Sequence, residues 1–340
     1  RTCVLKQNFR TRSGGYWRLC GKEDKHDGKG TGNVVLETNG NFTMDKATMR
    51  SAGVNYNTAA DDKTAGAFDF TVHVTPATAK NVDITSTEGN VTVQNASDIK
   101  ATNDINMTAT KGNYVQNDSN LTANNDVNIT AGGKINVNKS NIDAITNNVT
   151  LIANGSGDNG NINLTNGSKV EAGNDVTVKS TNGNEVNVNI SNIIAGSDKD
   201  GFDKVKDPND TIGSATIEAT KGSVNILDSN VISQDKDVNI ISGKTTNING
   251  VIVPDGDPNK SNISAYNNVN ITSGEAINVD VANVEAKTGN ATLAANGEGD
   301  NGNINITKGS AIEAGNDVTV KSTKGNAVNV DSSKVIAGSD

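Results

Sequence analysis

The side chains that most often carry out chemistry are scarce in this chain of 340 residues. Histidine occurs only at His26 and His73, and cysteine only at Cys3 and Cys20. Zinc sites and Ser-His-Asp catalysis need such residues in clusters, so we predict no enzyme activity, no catalytic residue, no metal site and no cofactor. If the protein is extracellular, Cys3 and Cys20 form a candidate disulfide, and the alternative is two free thiols.

Carboxylates are more numerous, and one segment concentrates them. Residues 198–210, DKDGFDKVKDPND, hold five aspartates, and oxygen ligands around a glycine suit calcium. The spacing fits no standard calcium loop, so we interpret the segment as a solvated acidic insertion, with calcium binding as the alternative. The segments GSGDNGN at Gly155 and GEGDNGN at Gly297 are interpreted as flexible loops that project from a corner, because a calcium roll repeats far more densely. The five aspartates are Asp198, Asp200, Asp203, Asp207 and Asp210.

Asparagine supplies another reactive pattern, the Asn-x-Ser/Thr sequon. The chain contains 19 sequons, and part of this number arises because Asn and Thr flank an apolar residue in many strand-like segments. Glycosylation of these sites is therefore a hypothesis, which an intact mass equal to the sequence mass would contradict.

Charge is unevenly distributed along the chain. Residues 1–30 hold eight Lys/Arg and three Asp/Glu, a balance of +5, so the net charge of −9 leaves −14 for the remainder. A phosphate-binding face needs clustered Lys and Arg, which argues against a nucleic-acid partner. Residues 1–30 also contain Phe9, Tyr16 and Trp17, and we interpret them as a cap or tail, with a docking end as the alternative.

The composition cannot supply a conventional hydrophobic core. Only 33% of the residues are hydrophobic and 3% aromatic, yet the chain has just 4 Pro. It therefore resembles neither an ordinary globular domain nor a disordered chain. No run of about 18 apolar residues exists, so we predict no membrane-spanning helix.

Two nested repeats explain this composition. Residues 119–198 align without a gap to 261–340, an offset of 142, with 53 of 80 positions identical. Inside them a shorter unit of about 22 residues recurs, as in NDVNITAGGKINVNKSNIDA from Asn125 and NNVNITSGEAINVDVANVEA from Asn267. The common form is N-(D/N)-V-x-I/V-x-(A/S), a Gly turn, I/V-x-V, a polar corner and S-x-I/V-x-A.

Each apolar triplet alternates with polar residues, as expected for a strand with one buried face. Three short strands per unit suit one turn of a solenoid, so we predict an all-β, right-handed parallel β-helix of about 10–11 coils. One β-branched side chain per strand would fill its narrow interior. Corner Asn residues would adopt left-handed backbone geometry and hydrogen-bond between coils. We assign 1–30 as the terminal segment, 31–80 as irregular first coils and 81–340 as the array. Polar loops interrupt the coils at 155–161, 196–213, 254–260 and 297–303.

The repeated segments resemble a known family. NDVNITA and AGNDVTVKS, followed by G-x-I-x-V and S-x-I-x-A, resemble the haemagglutinin-type repeats of filamentous haemagglutinin and related exoproteins exported by two-partner secretion. The resemblance covers roughly residues 81–340. It implies a β-helix at the bacterial cell surface that serves as an adhesin shaft or as a stalk for a distal effector domain.

We therefore expect a structural and adhesive rod segment of a large secreted surface protein, a virulence and cell-adhesion factor. The resemblance implies an outer-membrane transporter during export and a receptor or glycan on a host or neighbouring cell. One alternative is a carbohydrate-active enzyme or tailspike on the same scaffold, since fold alone does not define function. Another is a self-assembling surface filament.

Overall fold

A computed structural model describes residues 33–51, 80–196, 213–254 and 256–338 with their side chains. It also describes the backbone of 3–6, 29–32, 52–55 and 73–74. The regular structure in these residues consists of short β-strands and two 3₁₀ turns, Asp158–Gly160 and Asp300–Gly302. The strands form three sheets, each built from one strand of every coil, so the chain is a parallel β-helix.

The three sheets are numbered by their order within a coil. Sheet 1 contains Cys3–Lys6, Val34–Thr38, Val82–Ser86, Ile105–Ala109, Val127–Ala131, Val149–Gly157, Val176–Gly183, Ala215–Ala219, Val238–Ser242, Val269–Ser273, Ala291–Gly299 and Val318–Gly325. Sheet 2 contains Phe42–Asp45, Val91–Gln94, Tyr114–Asn117, Ile135–Asn138, Ile162–Thr165, Glu185–Asn189, Ser223–Leu227, Thr246–Asn249, Ile277–Asp280, Ile304–Thr307 and Val328–Val330. Sheet 3 contains Lys29–Gly32, Thr48–Asn55, Asp98–Ala101, Asn120–Ala123, Asn141–Ala144, Lys169–Ala172, Asn192–Ala195, Asn230–Ser233, Ser261–Ala265, Ala282–Ala286, Ala311–Ala314 and Lys334–Ala337, with His73–Val74 paired to Thr48–Asn55.

Eleven complete coils stack in the described residues, the first starting at Val34 and the last ending at Ala337. This agrees with the 10–11 coils predicted. Sheet-1 strands begin at Ile105, Val127 and Val149, at the 22-residue interval of the repeat. Pairing is parallel along all three sheets from coil 1 onwards. Among the described strands, antiparallel pairing occurs where Lys29–Gly32 and His73–Val74 meet Thr48–Asn55, and an isolated antiparallel bridge joins Val251 to Asn259. The described part of residues 31–80 supplies one coil, formed by Val34–Thr38, Phe42–Asp45 and Thr48–Asn55.

The core is a set of inward columns that run along the axis. In coil 4, sheet 1 buries Val127, Ile129 and Ala131, while sheets 2 and 3 each bury two further side chains. The expectation of one inward residue per strand was wrong, because a strand of four or five residues with period two has two or three inward positions. Column neighbours are fixed by register, as in Val127 beside Ile105 and Val149.

The recurring corner motifs are explained by hydrogen bonds between coils. The second residue of N-(D/N)-V accepts a bond from the backbone N–H of its counterpart in the next coil, as at Asp126 Oδ1 from Asn148 N (3.0 Å) and Asn148 Oδ1 from Asp175 N (3.0 Å). The serine that opens S-x-I-x-A is buried, and Ser229 Oγ accepts a bond from Ser191 N at 3.0 Å. These bonds satisfy backbone donors at corners, where no strand partner is present.

Left-handed backbone geometry falls on other residue types than expected. Eleven non-glycine residues in the described part of the chain have positive φ, and only Asn95 and Asn166 among them are asparagine. All eleven positions lie in the corner between sheets 2 and 3, most of them directly after the last residue of the sheet-2 strand. Asparagine therefore acts in this solenoid mainly through its amide hydrogen bonds. The others are Lys46, Ala96, Asp118, Lys139, Ile190, Asp228, Val281, Lys308 and Ser332.

Candidate functional site

The residues first considered for chemistry lie largely outside the described part of the chain. Cys3 begins the first strand of sheet 1, but Cys20 falls outside the described residues, so the disulfide stays a prediction. His26 and the acidic segment 198–210 also fall outside them. The calcium alternative for 198–210 is therefore untested. In position, this insertion joins sheet 3 of coil 6 to sheet 1 of coil 7.

The two glycine-rich loops adopt the same structure at the corner between sheets 1 and 2. Gly157 has φ 58° and ψ −140°, and Gly299 has φ 56° and ψ −136°. Asp158 Oδ1 accepts a bond from Asn184 Nδ2 of the next coil at 2.9 Å, and Asp300 does the same with Asn326 at 2.9 Å. Each loop is thus tied to the following coil, which differs from the freely projecting loop we expected.

Glycine is required in these loops because backbones stack closely. A Cβ on Gly160 would lie 1.9 Å from the carbonyl oxygen of Gly155, and one on Gly183 would lie 2.3 Å from that of Gly160. Ser180 Oγ also donates to the Gly160 carbonyl at 2.7 Å. The loop is therefore a fixed part of the stack, and the carboxylate of Asp158 stabilises it through the bond from Asn184.

The outward side of sheet 2 in coils 4–11 is dominated by asparagine, and we call it the amide face. One column of eight asparagines forms a continuous ladder of seven bonds, in which every Nδ2 after the first donates to Oδ1 of the preceding coil at 2.8 or 2.9 Å. Only Glu185 and Asp280 are charged among the outward residues of this face, and Asp280 pairs with Lys308 at 2.7 Å. The ladder is Asn136, Asn163, Asn187, Asn225, Asn247, Asn278, Asn305 and Asn329. The other outward residues are Asn138, Thr165, Glu185, Asn189, Ser223, Leu227, Asn249, Asp280 and Thr307.

The outward side of sheet 3 carries more charge. Asp98 pairs with Lys100 at 3.1 Å and with Arg50 at 3.7 Å, and Lys169 pairs with Glu171 at 2.6 Å. Asp98, Lys100, Lys169 and Glu171 line a shallow open groove of about 310 Å³ over coils 2–5, together with Asp143. The lining thus carries three carboxylates and two lysines, most of them in ion pairs.

On sheet 1, Glu218 is an acidic group linked to two neighbouring side chains. Lys179 Nζ lies 3.0 Å from Glu218 Oε2, and Thr220 Oγ1 donates to Oε1 at 2.7 Å. Desolvation is the largest single influence and acts to raise the pKa of Glu218. The hydrogen bonds from Thr220 and Lys179 and the charge of Lys179 outweigh it together, so the pKa is lowered.

The interior holds a polar pair that the sequence pattern did not indicate. Tyr114 is fully buried in sheet 2, and its hydroxyl donates to Gln116 Oε1 at 3.0 Å. Gln116 Nε2 donates in turn to the carbonyls of Ser119 (3.0 Å) and Asn141 (3.1 Å). Burial raises the pKa of the Tyr114 phenol well above its ordinary value, so it stays protonated. This pair fills space and satisfies hydrogen bonds, and it has no access to a substrate.

Within the described ranges, no group of three or more His, Cys, Asp or Glu side chains is placed to hold a metal ion. No helix in those ranges is long and apolar enough to cross a membrane. Comparison of the chain with protein-family models, with curated proteins and with solved structures finds no match. The class of the chain therefore rests on its own topology, which is that of a parallel β-helix.

Proposed function

We propose that the chain is a structural and adhesive rod segment of a large protein displayed on a bacterial surface, of the filamentous-haemagglutinin type. The observation that carries this proposal is the unbroken stack of eleven coils in which every long insertion falls at a corner. At about 4.8 Å per coil the described stack is about 50 Å long. Such a stack holds its faces in fixed positions while its corners vary.

The corner insertions support a role in display. Residues 250–260 take the place of a corner that has one to three residues in the other coils. Residues 197–212 separate a sheet-3 strand from the next sheet-1 strand, which are joined by a few residues in most other coils. Loops on a rigid scaffold tolerate variation and are the usual place for recognition. The proposal includes export by two-partner secretion through an outer-membrane transporter, and attachment to a receptor or glycan on another cell.

Binding of the purified chain to cultured host cells and to an array of surface glycans tests the proposal. We expect saturable binding with no change in the glycans. A variant that deletes 251–259 and joins Gly250 to Lys260 serves as a matched control for the corner loop, because the strands on both sides keep their partners. Cleavage of any glycan on the array would contradict the proposal and favour an enzyme, and absence of binding to every surface would contradict the adhesive role.

A further inference from the structure

An exposed apolar strip runs beside the amide face. Four large aliphatic side chains lie along the end of sheet 2 in coils 6, 7 and 8, with exposed fractions of 50% for Ile190, 37% for Leu227, 39% for Val251 and 61% for Ile252. Leu227 belongs to the amide face itself. Outside the last coil, Ile241 and Tyr266 are the other exposed large hydrophobic residues in the described part of the chain. Exposed apolar groups are therefore concentrated on one edge of the rod.

Ile190 combines left-handed geometry with exposure, whereas Val281, the other β-branched residue at positive φ in the described part of the chain, is buried. The φ of Ile190 is 48°, a left-handed geometry that a β-branched side chain rarely adopts, and half of the residue faces solvent. The equivalent corner positions of coils 4 and 7 hold Lys139 and Asp228, also at positive φ. Isoleucine at this position gains little burial, so its presence points to a contact outside the chain.

Val251 and Ile252 are held out from the coil by a short hairpin. Val251 and Asn259 exchange two backbone hydrogen bonds, at 2.8 and 2.9 Å, and Gly250 N donates to the Asp280 carbonyl at 2.8 Å. At the base, Lys260 Nζ donates to the Gly309 carbonyl at 2.8 Å. These bonds keep the apolar residues of the hairpin outside the core.

The amide face is self-complementary. An asparagine side chain has two N–H donors and two acceptor lone pairs, and each interior member of the ladder uses one of each between coils. One donor and one acceptor per amide remain for another surface, except at Asn187, whose second N–H donates to Glu185 Oε2 at 3.0 Å. A second amide face offers the same set at the same axial spacing, because both spacings are the distance between stacked strands.

We propose that the amide face and its apolar strip form a lateral docking surface for a second copy of this chain, so that rods associate side by side. The proposal goes beyond attachment to another cell. Eight coils at about 4.8 Å and four residues at about 3.3 Å give about 500 Å² per copy, or about 1,000 Å² for the pair. This lies at the lower limit for a specific interface, so association is weak and depends on concentration.

Other occupants fit the surface less well. An acidic or basic partner finds almost no unpaired charge on the amide face, since Asp280 already pairs with Lys308. A polysaccharide has its own repeat distance, whereas a second copy matches the coil spacing along the whole face. The apolar strip supplies the desolvated anchor residues that an amide surface alone lacks.

Sedimentation velocity of the whole chain over a wide concentration range tests the proposal. We expect reversible association that changes little with salt, because the surface is nearly uncharged. Leu227→Lys should weaken association by about tenfold or more. Ile241→Lys is the matched control, since Ile241 is also an outward aliphatic residue, 41% exposed, but lies on sheet 1. It should associate like the wild type.

A second variant separates docking from folding. In Ile190→Asn, asparagine tolerates the left-handed geometry, so the melting temperature should rise, whereas self-association should weaken. If Ile190 has no part in docking, the same substitution should raise the melting temperature and leave self-association unchanged. A wild type that stays monomeric at every concentration, or equal weakening by Leu227→Lys and Ile241→Lys, would overturn the proposal. Glycan-dependent association alone would also overturn it.

Discussion

Sheets 2 and 3 wrap the same core but present different outer faces. In coils 4–11 the amide face has two charged residues, Glu185 and Asp280, whereas the outward side of sheet 3 has six. Both sheets bury β-branched columns, although the columns beneath sheet 2 hold mainly Ile and Val, whereas beneath sheet 3 one column holds Ile and Val and the next holds mainly Ala. The comparison shows that the fold depends on the inward half of each strand, while the outward half is free to be specialised. The six charged residues of sheet 3 are Asp143, Lys169, Glu171, Glu285, Glu313 and Lys334.

The largest expected loss of stability comes from the buried residues that lie beneath both sheets. Ile248 under sheet 2 and Ile263 under sheet 3 are both fully buried. Replacing either by alanine removes buried methylene groups and leaves a cavity, so we expect each variant to lose about 2–5 kcal/mol of unfolding free energy. Urea denaturation measures this loss. A large difference between the two variants would show that the inner columns are not equivalent.

A smaller effect should separate the two outer faces. Asn247→Ala interrupts the ladder and leaves Asn225 Oδ1 and Asn278 Nδ2 without their partner, so we expect a loss of about 1–2 kcal/mol. Lys100→Ala on sheet 3 removes an ion pair whose lysine is 48% exposed, and its effect should stay below about 1 kcal/mol. Urea denaturation of the two variants measures both losses of unfolding free energy. The reverse order would mean that ion pairs matter more to the rod than amides do.

The smallest expected effect is a dependence of stability on pH, which comes from Glu218 and which the uncharged amide ladder lacks. The pKa of Glu218 is lowered in the folded state, so its carboxylate stabilises the fold above the ordinary pKa of glutamate. This contribution is lost as the pH falls through the folded-state pKa. Glu218→Gln should therefore make the melting temperature slightly less sensitive to acid, whereas Asn247→Ala should retain the slope of the wild type. Equal slopes for wild type and Glu218→Gln would show that the Lys179 and Thr220 contacts do not stabilise the ionised form.

The coil architecture could be predicted because the sequence of one repeat unit contains both the inward residues and the corner residues of one coil. The segment NDVNITA contains its three inward residues, Val127, Ile129 and Ala131, and the corner carboxylate of Asp126 that accepts a bond from the next coil. The inward residues of the strand Tyr114–Asn117 were harder to predict. Its alternation YVQN is ambiguous, and register with Val91 and Ile135 places Tyr114 and Gln116 inward and Val115 outward.

The candidate surface was less accessible from the sequence. That the outward asparagines of sheet 2 form one unbroken ladder depends on which residues become neighbours across coils of unequal length, from Asn187 to Asn225 for example. The strained geometry of Ile190 likewise depends on where the corner falls. Both are long-range consequences of stacking, and no local window of sequence contains them.

The ladder also gives the rod a net dipole along its axis. Each amide from Asn163 to Asn329 donates towards the first coil, so the side-chain dipoles point the same way and add, as peptide dipoles do in a helix. The unshared donor lies at Asn136 and the unshared acceptor at Asn329. Two rods lying side by side in opposite directions would oppose these dipoles and lower their mutual electrostatic energy, whereas rods aligned in the same direction would repel weakly. An antiparallel arrangement of neighbouring rods is therefore favoured by a property of the shaft alone.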